Sequence, residues 1–324
     1  MAKYRSLRRD KVTLKLPHPS MKLAKYFLLL CLTMLGGCAV VQRAGMAVLY
    51  RKAPLPEAQV TRDIVYKPGS KSPGQRLDLF QPASKHWPVM VFAYGGAWEK
   101  GDKALRFGGQ DVYGNIGRFY ASQGIGVAVI NYRLMPAVTW RDQVSDMADA
   151  AAWVGRNIGS YGGDPSRIFV AGHSSGGYLA SFVALNRTVA VQHGVPRLAG
   201  AICVSGAGLD MADEETYRLG HQVGYFQYRF SDRGTNPHWQ RDASPATFAR
   251  KGAPPFLILY AQGETAPMIR QGRHFHDILD SRGVSNRLVE VPGQSHARMV
   301  LALSRPDRTA GPAILDFIRG GAGR

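Results

Sequence analysis

Cysteine is nearly absent: Cys31, Cys38 and Cys203 are the only three in 324 residues. Three cysteines cannot form a disulfide framework, and none is spaced with another as a metal-binding cluster requires. Low-complexity tracts and fixed-period repeats are also missing, as in an ordinary globular chain. Acidic side chains are few, 23 against 41 lysines and arginines, giving a formal charge of +18. Such a balance raises the possibility of nucleic acid as a partner, but the distribution argues against it. Residues 1–25 hold Lys3, Arg5, Arg8, Arg9, Lys11, Lys15, Lys22 and Lys25 against Asp10 alone. The remaining excess is scattered, with no basic run interleaved with aromatics. A mildly basic surface suits proximity to anionic lipid better.

The most apolar stretch, Tyr26–Leu35 (YFLLLCLTML), is too short to cross a bilayer comfortably and follows the basic segment Met21–Lys25. It reads as residues 21–37 of an export signal, with residues 1–20 a basic extension upstream of a natural start at Met21. The ending Leu35-Gly36-Gly37-Cys38 resembles a bacterial lipobox. That resemblance implies cleavage before Cys38, lipid on the cysteine, and a tether over 38–59. With Ala39 after the cysteine, it also implies the periplasmic face of a Gram-negative outer membrane. Cys203, in the apolar run AGAICVSG, is then the one free thiol, expected buried and inert.

Beyond residue 60 the chain alternates strand-like and helix-like segments. Arg76–Gln81, Val89–Tyr94, Val127–Asn131, Ile168–Ala171, Ala201–Val204, Phe256–Tyr260 and Arg287–Val291 are short runs rich in β-branched and aromatic residues. Helical patterns lie around Asp111–Ser122, Asp142–Ile158, Gly177–Leu185 and Pro267–Ser281, and over Ala313–Ile318. This alternation predicts an α/β fold over 60–324, a mostly parallel sheet flanked by helices. Residues 211–252 break the pattern: strand-free and aromatic, they read as a cap over the carboxyl edge of the sheet.

Gly172-His173-Ser174-Ser175-Gly176 has the G-x-S-x-G form, with an apolar strand before it and a helix after it. Glycine stands two residues to either side of Ser174 and not of Ser175, which selects Ser174 as the candidate nucleophile. Ser175 would then present its N–H, at a helix start, to a developing oxyanion. A serine needs a base. Among nine histidines, His296 alone follows the final strand, through Pro292-Gly293-Gln294-Ser295, onto the expected edge. Glu264, after the strand Phe256–Tyr260, gives the order Ser174…Glu264…His296; Asp210, after Ala201–Val204, is the rival acid. The glycines of Tyr94-Gly95-Gly96-Ala97-Trp98 would let a second backbone donor approach a substrate oxygen.

Together YGGAWEKGDK (Tyr94–Lys103), INYRL (Ile130–Leu134), YGGDPSRIFVAGHSSGG (Tyr161–Gly177) and GQSH (Gly293–His296) resemble the α/β-hydrolase superfamily. The likeness is to its small esterase-like branch, with kynurenine formamidase-like enzymes and isoprenylcysteine methylesterases. It implies a carboxylesterase without metal or organic cofactor, acting on a small ester through Ser174, Glu264 and His296. Oxyanion donors would come from Gly95, Gly96 and Ser175, and Trp98 would wall the pocket. An aryl-formamide or amide hydrolase, a peptidase of the same fold, and a non-catalytic binding lipoprotein are the alternatives. Two departures stand out: Tyr94 where the branch commonly has histidine, and Glu264 where it usually has aspartate.

Overall fold

Short β-branched and aromatic runs, too apolar to lie against water on either side, become the central strands of one eight-stranded sheet. The structure is a computed structural model that describes residues 50–320 except 221, 222 and 233. The chain divides after Val48 into two units, and the described residues all belong to the second, Leu49–Arg324. The signal-like segment, the lipobox and Cys38 lie outside the described residues.

In chain order the strands of this sheet are β1 (Val60–Val65), β2 (Arg76–Phe80), β3 (Trp87–Ala93), β4 (Gly126–Ile130), β5 (Gly163–His173), β6 (Gly200–Val204), β7 (Phe256–Gly263) and β8 (Asn286–Ser295), and Arg106–Phe107 and Gln110–Asp111 form a separate small ribbon. Across the sheet they run β1-β2-β4-β3-β5-β6-β7-β8. β2 pairs antiparallel with both β1 and β4, and every other pairing is parallel. Every residue of β3, β4 and β6 is buried, as expected of strands covered on both faces. The edge strand β1 is half exposed, carries a register irregularity, and shows no apolar run from which to predict it.

The helices are α1 (Val112–Ser122), α2 (Trp140–Asn157), α3 (Ser175–Leu185), α4 (Arg187–His193), α5 (Glu214–Gly220), α6 (Val223–Phe230), α7 (Trp239–Ala243), α8 (Ala266–Ser281), α9 (His296–Ala302) and α10 (Ala310–Arg319). α2 starts on a reciprocal capping box between Thr139 and Asp142. The 211–252 insertion contains α5, α6, α7 and a 3-10 turn at Pro245–Phe248, with no strand among its described residues. Its aromatics Tyr217, Phe226, Phe230 and Trp239 are buried.

The expected tether is different at its carboxyl end. Ala53 is buried, with its N–H on Asn115 Oδ1 (2.8 Å), while Asn115 Nδ2 donates to Arg51 O (2.9 Å) and Arg118 Nη1 to Leu55 O (3.0 Å). Residues 51–57 are therefore strapped along α1, and the folded body begins before residue 60.

Candidate active site

Parallel strands present their carboxyl ends on one edge, and that edge collects the functional candidates from five separate strands. β5 leads into Ser174, β7 into Glu264, β8 into His296, β3 into the 94–98 loop and β6 into Asp210.

From Ile168 to Asn186 every residue is buried except Ser174. Ser174 has φ 55 and ψ −119, a strained conformation for a residue with a side chain, and Ser175 opens α3 immediately after it. The flanking glycines are sterically required. A Cβ on Gly172 would lie 2.2 Å from the Gly176 carbonyl, and one on Gly176 would lie 2.1 Å from Ala93 O. Ser174 is held by its N–H on Val204 O (2.9 Å), and its own carbonyl accepts from Tyr178 N (3.1 Å). Two backbones thus fix the turn while the hydroxyl stays accessible.

His296 Nδ1 lies 2.9 and 3.1 Å from the two Glu264 carboxylate oxygens. The Glu264 side chain is 1% exposed and that of His296 39%, so the acid is enclosed and the imidazole reaches the open edge. The sequence suggests a loop for His296, but β8 extends to Ser295, which pairs with Gly263, and His296 is the first residue of α9. Among the described residues the Ser174 hydroxyl makes no hydrogen bond to His296; such bonds commonly tighten only with substrate in place. Asp210 is committed elsewhere: its Oδ2 meets His274 Nε2 at 3.1 Å, and its Oδ1 accepts from Ala212 N at 2.9 Å. It caps the entry to the insertion.

The 94–98 loop passes directly over the turn, since a Cβ on Gly95 would lie 2.9 Å from Ser174 Cβ. Ala97 and Trp98 both have positive φ, 53 and 65, and Gly96 (φ 156) could carry no side chain, because its Cβ would meet Lys100 O at 1.9 Å. Here the structure departs from expectation. The Gly96 N–H, expected to face an oxyanion, donates instead to Ser175 Oγ at 3.1 Å. The same hydroxyl lies 3.3 Å from Tyr132 OH, which in turn donates to Tyr94 O (3.1 Å). Tyr94 stacks on Tyr132 with ring centroids 4.6 Å apart, so tyrosine at this position anchors the loop through its ring. The N–H of Ser175, first in its helix, has no carbonyl four residues back to bond and remains the natural anion donor.

Trp98 does not wall an open pocket. It is 2% exposed, in edge contact with Tyr178 (5.5 Å), Phe226 (5.9 Å) and Phe230 (5.1 Å), and forms the floor on which the cap packs. The loop continues into Lys103, whose buried ammonium bonds Asp63 and Asp78 at 2.8 and 2.7 Å. Asn131 accepts from Lys103 N and donates to Asp102, fastening the loop's far end. Tyr132 and Asn131 both belong to INYRL, a motif whose side-chain role spacing alone does not disclose.

Two buried groups complete the electrostatics. Burial, reinforced by the nearby charge of His296, pushes the His173 imidazole down to about 3, so it is neutral at any working pH. Burial likewise raises the Cys203 thiol to about 11, which makes it inert as expected. No group of three or more His, Cys, Asp or Glu residues able to hold a metal ion occurs among the described residues.

Residues 77–279, more than half of the chain, match the family model named BD-FAE. The chain belongs to the BD-FAE family. Among curated proteins, this BD-FAE chain is 30% identical to Esterase LipC of Mycobacterium tuberculosis, over 74% of this chain and 60% of that one. It is 31% identical to Esterase LipQ of the same organism, over 81% and 62%. With a probable isoprenylcysteine alpha-carbonyl methylesterase of Oryza sativa it shares 29% identity over 75% and 59%. The chain thus spans about three-fifths of the length of these relatives. Among solved structures, esterase B from Lactobacillus rhamnosis superposes with a TM-score of 0.67 at 21% identity, covering 93% of this chain and 95% of that one. A truncated carbohydrate esterase from gut microbiota gives 0.68 at 19%, covering 84% and 100%. At such identities the likeness shows the fold, which is that of the α/β hydrolases.

Proposed function

We propose that this BD-FAE chain is a serine carboxylesterase that cleaves small esters through an acyl-enzyme. One observation carries the reading: the single accessible residue of a buried strand-turn-helix is a serine at a strained backbone, on the same sheet edge as an enclosed carboxylate bonded to a histidine. The esterase names of the relatives support it.

Ser174 Oγ attacks the ester carbonyl as His296 Nε2 takes its proton; Glu264 holds Nδ1–H and stabilises the imidazolium. The negative oxygen faces the Ser175 N–H and the positive end of α3, with the Gly95–Gly96 backbone alongside. His296 then returns the proton to the departing alcohol, and a water activated by the same imidazole releases the acid. The test is hydrolysis of short-chain p-nitrophenyl esters by the purified protein. Ser174→Ala should lower kcat by about 10³-fold or more, and equal rates in the variant and wild type would remove the mechanism.

We infer further that the protein is anchored by lipid on Cys38 at the periplasmic face of a Gram-negative outer membrane. The basic n-region, short apolar run and Leu35-Gly36-Gly37-Cys38 support this reading. Mass spectrometry of the amino-terminal peptide from membranes should find Cys38 lipidated on both its sulfur and its amino group, absent in Cys38→Ser; an unmodified thiol there would refute the anchor.

A further inference from the structure

The proposed mechanism leaves one buried polar side chain in the turn unused. His173 precedes the nucleophile and is 4% exposed, yet its side chain meets both His296 and the loop that passes over Ser174. Its Nε2 lies 3.1 Å from the backbone oxygen of His296. Its ring sits 4.7 Å from the His296 ring, centroid to centroid, inclined at 44°. Its Nδ1 has no hydrogen-bond partner and abuts the glycine of the oxyanion loop, where a Cβ on Gly95 would come within 2.8 Å of it.

A carbonyl oxygen only accepts, so the proton must sit on Nε2, and Nδ1 carries the lone pair. A neutral ring in this tautomer donates one hydrogen bond and offers a flat face. The contact matters because His296 opens a helix of only seven residues at the end of an edge strand. Glu264 fixes the His296 ring from one side, through Nδ1. His173 Nε2 reaches the His296 main chain from the other side, at its backbone oxygen.

We propose that His173 is a positioning residue for the base. Its Nε2–H ties the His296 main chain to the nucleophile turn, and its ring packs against the His296 imidazole, setting the distance between base and Ser174. This rests on the esterase reading above and deepens it. Supporting it, His173 stays neutral beside His296, so it places no second positive charge next to the imidazolium that catalysis forms. Because the next residue in sequence is the nucleophile, any shift of this contact displaces base and serine relative to each other, where small misplacements lower rates steeply.

The test compares three variants with wild type and Ser174→Ala, using p-nitrophenyl butyrate, with folding followed by thermal unfolding. His173→Gln keeps an amide N–H near the Nε2 position, His173→Asn is too short to reach the carbonyl, and His173→Leu fills the space without a donor. The expected result is a loss of about tenfold in kcat for Asn and Leu, with KM within about twofold and Gln within about threefold of wild type. If Asn or Leu does not fold, the other carries the comparison with Gln. Wild-type kcat in the donorless variant overturns the proposal, as does a loss confined to KM or a Gln variant as impaired as Leu. An inactive wild type, or a Ser174→Ala as active as wild type, removes the esterase reading itself, and this inference with it.

Discussion

Ser174 and Ser175 share a turn but have opposite surroundings. The glycine spacing distinguishes them in the sequence, because two positions flanking Ser174 have no room for a Cβ, and that steric rule is local. What the Ser175 hydroxyl does is not local. Its partners, Gly96 N and Tyr132 OH, come from 79 and 43 positions away, and no spacing rule reaches that far. The same distance hides the role of His173, whose acceptor is 123 residues downstream. Removing the bracket with Ser175→Ala leaves the Gly96 N–H without its acceptor at the edge of the core. Urea unfolding should register a loss of about 1–2 kcal/mol. Ester hydrolysis should fall as well, though far less than in Ser174→Ala, because the Ser175 N–H is retained.

Among the elements, seven strands are legible because apolar runs of that length and composition fit a covered parallel sheet. β1 is not, since an edge strand faces solvent and needs no apolar pattern. The cap helices escape for another reason. They are short, and their aromatics pack on Trp98 and Tyr178, residues belonging to other parts of the chain. Phe230 occupies the centre of this contact, meeting Trp98, Trp140, Tyr178 and Phe226, while its carbonyl accepts from Trp140 Nε1 (3.2 Å). Phe230→Ala should cost about 3–5 kcal/mol, measured by denaturant unfolding. Because Trp98 also belongs to the 94–98 loop that passes over Ser174, the variant should hydrolyse esters more slowly even at temperatures where it is fully folded.

At the scale of the whole molecule, acid should act in two stages. Buried His173 binds a proton at about 3 in the fold against an ordinary 6.5. Burial tends to raise Asp213, but hydrogen bonds from Arg270 and Thr216 outweigh it and hold its carboxyl at about 2 rather than 3.8. In both cases the unfolded chain takes up protons that the native state refuses, so stability rises with pH. Unfolding free energy should therefore decline as pH drops from about 6.5 towards 3, by on the order of a few kcal/mol from His173. A second decline belongs between about 4 and 2, shared by Asp213 and by Glu57, whose carboxyl is held at about 2 by hydrogen bonds from Arg118 and Arg62. His173→Gln should flatten the upper stage and leave the lower one in place, as read by urea titrations across pH. A stage that persists in the variant would assign it to another group. The ion pair between Asp213 and Arg270 also belongs to a larger arrangement. α8 starts two residues after Glu264 with Thr265 between them as its cap, and Arg270, Gln271 and His274 along it grip Asp213, the Gly208–Leu209 amides and Asp210. The helix that begins at the acid therefore also holds the doorway of the insertion. For evolution, or for an engineer exchanging insertions between relatives, these two features form a linked inheritance: a new cap grafted at Met211 needs a matching face on α8, and any change in that helix's pitch is felt at Glu264.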